Sequence, residues 1–426
     1  MTEDRYVDRN FAVLLGQGVA NSAANELTSI KLVLPFLYTS VGAPIFFAGM
    51  LVPVATVAKR AVQVLMAPLV AAAASRKRLM ALASVLLALA VALISLTFNV
   101  VAGFLLVPIF LGAALVMGAA NGLSSLAFQD MIGRILPREH RSRLLFTQSS
   151  LAGLIVVIVA VGAQLLLRPG TSLAAHQELI WFGISLFVLS ALLTMAVHEP
   201  VAPQPSAEGD SAENRGGDNR TANANAVTKH SFRTVLALPW FGKFLIARSL
   251  YLSIELAIPF FSIHAAIFHG NSINGLNAFV IAANVGLMAG GYLWAKIGKE
   301  SIERILIPAA GITGIGGLLA IAIELGFAAQ NIYLYAIVFV LVSIGAQGIK
   351  SGRTLYLIGN TTDDERPFCI AVANGIIGAI GIILGALLGT LASLKGVAWP
   401  IVALVVLNVL AAVYTLKLRV HPAKAE

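Results

Sequence analysis

From Phe11 onward the chain is a succession of apolar runs separated by short charged or Gly/Pro/Asn-containing breaks. A helix rises about 1.5 Å per residue and the hydrocarbon core of a bilayer is about 30 Å thick, so roughly 20 apolar residues make one crossing. On that measure the pattern predicts twelve crossing helices, at about 11–38, 44–74, 79–98, 101–127, 144–167, 178–197, 240–268, 275–297, 304–327, 331–357, 368–393 and 398–418. Between the sixth and seventh, His198 to Ser231 is polar, rich in Ala, Asn, Gly and Pro, and almost free of bulky apolar side chains. Such a segment cannot bury a core and is expected to be a disordered linker. The expected fold is an all-α membrane protein of twelve transmembrane helices in two pseudo-symmetric six-helix bundles, 1–197 and 232–426, joined by the linker 198–231.

The polar positions that interrupt the runs carry the candidate chemistry. An ionisable side chain at the bilayer centre costs about 2.5–3.5 kcal/mol even on lenient insertion scales, so it is expected to face protein or water. In the first run, Gln17, Asn21, Asn25 and Thr28 form one helical stripe, with Ser22, Glu26 and Ser29 on the next. Ser22 and Ser29 read as glue between helices, and Glu26 as a cavity residue. In the second run Thr56, Lys59, Arg60 and Gln63 share a face. An ion pair with Glu26 would still leave one of the two cations over. In the seventh, Arg248, Tyr251 and Glu255 share a face that Pro259 follows, and laying Asn25-Glu26-Leu27 over Ile254-Glu255-Leu256 puts the two glutamates at one depth. In the tenth, Ser343, Gln347, Lys350 and Thr354 line one face, and Gln347 corresponds to Asn121 in the fourth. Asn284 and Asn374 are weaker candidates. Lys31 is expected to snorkel to a helix end, Arg353 to join a cytoplasmic turn, and Glu324 to be an ordinary helix-end residue. His264 reads as a surface or packing histidine, with a pH-sensing role left open.

Composition fits the pattern. The 426 residues are 58% hydrophobic and 12% charged, about half the charge of a soluble domain. The net charge of +9 could suggest nucleic acid, but its distribution argues otherwise. One alternate set of loops, with the termini and the linker, holds twenty Lys and Arg and the other holds two, Arg168 and Lys395. By the positive-inside rule both termini and the linker are cytoplasmic, in a cell inner or plasma membrane. MTEDRYVDRN carries both signs of charge and lacks a clean basic leader, and no small-residue cleavage site follows a short apolar region, so the first run is expected to be retained. The single cysteine, Cys369, cannot form an intrachain disulfide. No metal-ligand spacing, nucleotide loop or nucleophile triad is present, which excludes an ATP-driven pump and a membrane hydrolase; the glycine series Gly375 to Gly389 reads as close helix packing. No cofactor, metal or nucleic acid is expected. The expected partners are a small-molecule solute and membrane lipid, and the expected state is a monomer.

Several stretches resemble the major facilitator superfamily. GYLWAKIGK keeps Gly291, Lys296, Gly298 and Lys299 of the loop motif G-x-x-x-D-R/K-x-G-R/K, with Ala295 in place of the acid. APLVAAAASRKR is more degraded, with Ala71 at the acid position and Arg76-Lys77-Arg78 at its basic end. FQDMIGRILPREHRSR matches a D…R…P…R pattern through Asp130, Arg134, Pro137 and Arg141, and Arg366 ends the parallel turn NTTDDERPFCIA of the second half. The antiporter signature of the fifth span is absent: Gly153 and Gly162 are spaced for it, but no Gly-Pro follows. The resemblance implies a secondary transporter with alternating access around a midplane site lined by spans 1, 4, 7 and 10. The candidates for substrate or proton binding are Asn21, Asn25, Glu26, Lys59, Arg60, Gln63, Asn121, Arg248, Tyr251, Glu255, Asn284, Gln347 and Lys350. Asp130, Arg134, Arg141, Gly291, Lys296, Gly298 and Arg366 are the candidates for the cytoplasmic gate. Cations outnumber acids at the midplane, which favours an anionic or zwitterionic organic solute moved with protons. Two alternatives stay open: an efflux pump for lipophilic or cationic compounds, and a non-transporting scaffold, receptor or assembly factor, to which the loss of both motif acids points.

Overall fold

The computed structural model describes residues 2–73, 75–97, 100, 103–136, 138–166, 172–199, 236, 238–269, 275–297, 303–327, 331–360 and 366–416. Among them are fourteen α-helices and one short 3-10 turn, and no strand. In chain order the helices are α1 (Thr2–Leu27), α2 (Val33–Ser40), α3 (Ile45–Ala72), α4 (Arg76–Thr97), α5 (Leu106–Ile135), α6 (Arg138–Leu166) and α7 (Ser172–Ala196). After a gap come α8 (Pro239–Leu250), α9 (Leu252–His269), α10 (Gly275–Ile297), α11 (Glu303–Glu324), α12 (Ile332–Asn360), α13 (Arg366–Lys395) and α14 (Ala398–Thr415). All-helical architecture is what a bilayer demands, because no water is present at depth to satisfy a free backbone N–H or C=O. Among the described residues ten segments are long and apolar enough to cross, each on an expected run. The remaining expected runs, 11–38 and 144–167, are helical too, but the first is interrupted and only Leu151–Gly162 of α6 is strongly apolar. Of the expected linker only His198 and Glu199 lie among the described residues.

Two runs expected to be single helices are each broken. The first stops at Leu27 and resumes at Val33. Thr28 donates its hydroxyl to the Ala24 carbonyl (2.8 Å), and Ser29 Oγ accepts the backbone N–H groups of Lys31 and Leu32 (3.3 and 3.4 Å). Side-chain bonds of this kind compete with the i to i−4 ladder. The seventh run breaks at Tyr251, eight residues before Pro259, which lies inside α9.

The same pairings recur in the two halves of the chain. α3 packs on α5 as α10 packs on α12, α4 on α5 as α11 on α12, and α4 on α7 as α11 on α14. Between the halves, α2 lies on α9, α3 on α13 and α6 on α10. Phe36 meets Phe279 edge-on at 6.0 Å, and Ser262 donates to the Leu32 carbonyl. A Cβ at Gly389 would lie 2.8 Å from the Phe46 carbonyl oxygen. The contacts of Phe36, Leu32 and Gly389 lie at the end where α2 stops and α3 starts, opposite the chain termini, while Gly378 beside Val57 and Arg60, and Gly153 beside Met288, carry the contact between the halves toward mid-helix. At the other end α8 packs on α13, α14 and α9, within its own half.

Backbone-close packing within a half depends on absent side chains. A Cβ at Gly118 in α5 would fall onto the Ala55 carbonyl of α3, whereas one at Gly112 meets nothing within 4 Å. Gly118→Ala should therefore cost about 1–3 kcal/mol through overpacking and lower the thermal unfolding midpoint of the detergent-solubilised protein. Gly112→Ala should leave the midpoint unchanged or raise it slightly.

Candidate functional site

Among the described residues, six basic and two acidic side chains from both halves converge near the centre of the helices. Glu26 interacts electrostatically with Lys31 and Lys350, Lys59 with Lys31, Arg60 and Lys350, Lys31 with Arg353, Arg248 with Arg353 and Arg60, and Arg353 with Arg60. Lys31, Lys59 and Lys350 are exposed, while Glu26, Arg60, Glu255 and Arg353 are half-buried. Lys31 after α1, Lys59 of α3 and Lys350 of α12 are exposed and act on one another, and so border a common accessible space. α3 brings Lys59 and Arg60 there because α5 passes directly over its backbone, where a Cβ at Gly122 would strike the Lys59 carbonyl.

The structure corrects two expectations about these charges. Lys31 does not sit at a helix end near an interface: it lies in the break before α2, whose eight residues place it about 12 Å from the far end of that helix. It therefore cannot snorkel and instead faces Glu26. Arg353 does not join a cytoplasmic turn. It ion-pairs with Glu255, Nη1 to Oε1, linking α12 to α9. The two glutamates thus differ. Glu255 has a direct partner, and among the described residues Glu26 forms no ion pair with Lys59 or Arg60.

The remaining midplane candidates divide. Arg248, buried at 8% exposure, donates to Asn374 Oδ1 (2.6 Å), and its Nε has no hydrogen-bond partner among the described residues. Asn21, Asn25, Gln63, Asn121 and Gln347 are half-buried; Asn25 donates to the Asn21 carbonyl (2.8 Å), and Asn21 Oδ1 is buried without a partner. Gln17 turns into the N-terminal half to donate to Ser190 (3.1 Å). Tyr251 and Asn284 are not brought to the charges. The break before α9 swings Tyr251 onto Thr415 of α14 (2.7 Å), and buried Asn284 donates to the Val280 carbonyl of its own helix (2.9 Å).

At the terminus-facing end, Arg76 Nε pairs with Asp130 Oδ2 at 2.8 Å, so the charge contact survives the loss of an acid at position 71. A carboxylate the sequence did not reveal, Glu199, caps α4: it accepts the Arg76 N–H (2.9 Å), the Ser75 hydroxyl (3.0 Å) and the Lys77 N–H (3.3 Å). A carboxylate at a helix N-terminus satisfies orphan donors and complements the dipole. Lys296 is exposed and a Cβ at Gly291 would meet nothing; the side chains of Arg134, Arg141 and Arg366, and Gly298, lie outside the described residues.

Sequence reasoning also missed a cluster at the opposite end. His264 of α9 lies between Glu324 of α11 (Nε2 to Oε2, 2.8 Å) and the Tyr335 hydroxyl of α12 (Nδ1 to Oη, 2.7 Å). These residues are 60 and 71 positions apart along the chain, so no local pattern could join them.

A helical protein that crosses the membrane repeatedly and, among its described residues, gathers more basic than acidic side chains between its halves has the form of a solute transporter. The profile described as Major Facilitator Superfamily matches residues 18–326, and the chain belongs to that superfamily. It is accordingly a multi-pass membrane transport protein and not an enzyme. The uncharacterized protein Rv2209 of Mycobacterium tuberculosis is 24% identical over 416 residues, spanning 96% of this chain and 76% of that protein, and Mb2232 of Mycobacterium bovis matches to the same extent. The chain is similar in fold to a point mutant of the nucleoside transporter NupG, with a TM-score of 0.71 and 10% identity over 96% of this chain and 99% of that one. It is similar also to the inward-open xylose transporter XylE from E. coli, with a TM-score of 0.67 and 16% identity over 98% of both chains.

The Glu255–Arg353 pair can be tested by a double-mutant cycle read by thermal unfolding. Each of Glu255→Ala and Arg353→Ala should destabilise by about 1–3 kcal/mol, less than a fully buried pair because water reaches both side chains. The double variant should be milder than their sum by about 1 kcal/mol.

Proposed function

We propose that the chain is a secondary active transporter of a small organic anion, working by alternating access and coupled to protons. In this reading residues 1–197 and 232–426 are two six-helix bundles, twelve spans in all, joined by a cytoplasmic linker at 198–231. Both termini are cytoplasmic, in a cell inner or plasma membrane, and the working unit is a monomer. The contacts of Phe36, Leu32 and Gly389 lie toward the end opposite the termini, which supports reading this arrangement as inward-open, the state named for XylE.

The observation that carries the substrate class is the imbalance of charge. Lys31, Lys59, Arg60, Arg248, Lys350 and Arg353 face two acids, one of which is spent on Arg353. Cations at close quarters in a medium of low dielectric repel strongly, and an entering carboxylate or phosphate ester relieves that repulsion. Arg248, with a guanidinium N–H to spare, is placed to donate to it. A zwitterion would set its ammonium toward Glu26. The same excess weighs against a cationic substrate and so against the efflux alternative. A proton-coupled cycle is compatible with the fold, as the D-xylose-proton symporter of TM-score 0.66 illustrates. Glu26, without a direct ion pair among the described residues, is the proton carrier in this reading.

Purified protein should be stabilised against heat by carboxylates or phosphate esters from a metabolite panel, and not by neutral sugars or cationic dyes, since a ligand of the native state raises stability by mass action. Lys59→Ala and Lys350→Ala should weaken that ligand by about tenfold or more, some 1.4 kcal/mol each. Stabilisation by cations alone would sink the anion reading.

In proteoliposomes under an imposed pH gradient, Glu26→Gln should abolish gradient-driven uptake while leaving ligand binding. Full gradient-driven uptake by both Glu26→Gln and Glu255→Gln would show that neither carboxylate carries the proton.

A further inference from the structure

The buried cluster around His264 takes no part in the site just described. His264 is 1% exposed and joins three helices of the C-terminal half: its own α9, α11 through Glu324 and α12 through Tyr335. Its ring stacks on Tyr335 (5.5 Å, 20°) and lies 4.8 Å from Phe268. The Tyr335 hydroxyl also lies 3.2 Å from the Phe261 carbonyl oxygen, one turn back along α9. Among the described residues, the titratable groups acting on His264 or lying against its partners are Glu324, Tyr335 and His269. Tyr38 of α2, at the same end, sets its ring on Phe110 instead.

Counting protons shows what this arrangement can hold. With a neutral imidazole, Tyr335 donates to Nδ1 and Nε2–H donates to the Glu324 carboxylate, leaving the Phe261 carbonyl without the tyrosine's proton. With one proton more, Nδ1–H donates to the Tyr335 oxygen, Tyr335 donates to Phe261, and Nε2–H still donates to Glu324. The added proton makes one further hydrogen bond and neutralises a carboxylate next to a buried ring. Every donor then has an acceptor, which is the condition a buried polar network must meet. The geometry has a place for one proton, with a hydroxyl that turns to admit it.

The cluster also stands directly behind the surface that closes this end. Phe261, whose carbonyl accepts the Tyr335 hydroxyl, is flanked by Phe260, packed near Gly49 of α3, and by Ser262, bonded to the Leu32 carbonyl before α2. Phe279 of α10 contacts both Tyr335 (5.6 Å) and Phe36 of α2 (6.0 Å).

We propose that His264, Glu324 and Tyr335 form a proton-binding site, separate from the central charges, whose occupancy favours closure of the two halves at the end opposite the termini. A proton bound better in one arrangement shifts the population toward it. The inference uses the alternation between halves proposed above, but neither the substrate nor the role of Glu26.

The test is a spin-label distance measurement on full-length protein in nanodiscs without substrate, in a Cys369→Ala background. Labels go on Val100→Cys and Leu394→Cys, exposed positions at that end in the two halves. Lowering the pH from about 8 to about 5.5, across the ordinary histidine range, should shift the distribution toward the shorter, closed distance. His264→Gln and Glu324→Gln should each remove the shift, and if one variant does not fold the other decides. A parent protein with no shift, or the same shift in the variants, would overturn the proposal. Two distance populations insensitive to pH would remove the proton site while leaving alternation standing.

Discussion

Charge at membrane depth is the constraint around which this protein is arranged. Eight ionisable side chains near the middle of the helices cannot sit in lipid or in a dry core without partners. Among the described residues two acids meet six cations there, and Lys31, Lys59 and Lys350 are exposed. The contacts follow. Within each half the packing is close and repeated, to the point that α5 runs on the bare backbone of α3. Between the halves α2 lies on α9, and α3 lies on α13 from Gly389 beside Phe46 to Gly378 beside Arg60. The apolar surface that remains, Leu89, Leu96, Ile158 and Leu387 among it, is what a lipid-facing exterior requires.

The internal symmetry of the chain is strict in packing and loose in chemistry. Pairs of helices recur between the halves, and each half begins with a broken first span. The breaks differ in cause and place: a serine and a threonine divert the ladder after Leu27, whereas the second break comes at Tyr251. The glutamates that align in sequence therefore end in different surroundings. Glu255 is held by Arg353, while Glu26 faces Lys31 and Lys350 across open space. One half thus offers a fixed carboxylate and the other a carboxylate free to change partners.

Much of this was legible in the sequence, and the parts that were not share a physical reason. Run lengths report directly on bilayer thickness, so the crossing segments followed from hydropathy. Lys59, Arg60 and Lys350 were visible because a cation in the middle of an apolar run is costly wherever it points. Lys31 and Arg353 were misplaced because each assignment assumed an unbroken helix and a lone residue near its end. The break moved Lys31 inward, and Glu255, distant in sequence, drew Arg353 to it. Glu199 and the His264–Glu324–Tyr335 cluster exist only through tertiary contact, so neither spacing nor periodicity could reveal them.

In the proposed alternation, the location of the close contacts separates what would stay rigid from what would move. The α3–α5 approach at Gly118 lies within one half, where a rocking motion changes nothing. The contacts of Gly389 with Phe46 and of Ser262 with Leu32 cross the halves. These bring small residues and carbonyl groups together without an ion pair among the described ones, and so can part at modest cost. The ion pairs Arg76–Asp130 and Arg353–Glu255 each join helices of the same half. Among the described residues ion pairs therefore lie within each half and none joins the halves, the distribution that the proposed turning of two bodies about a shared site would require.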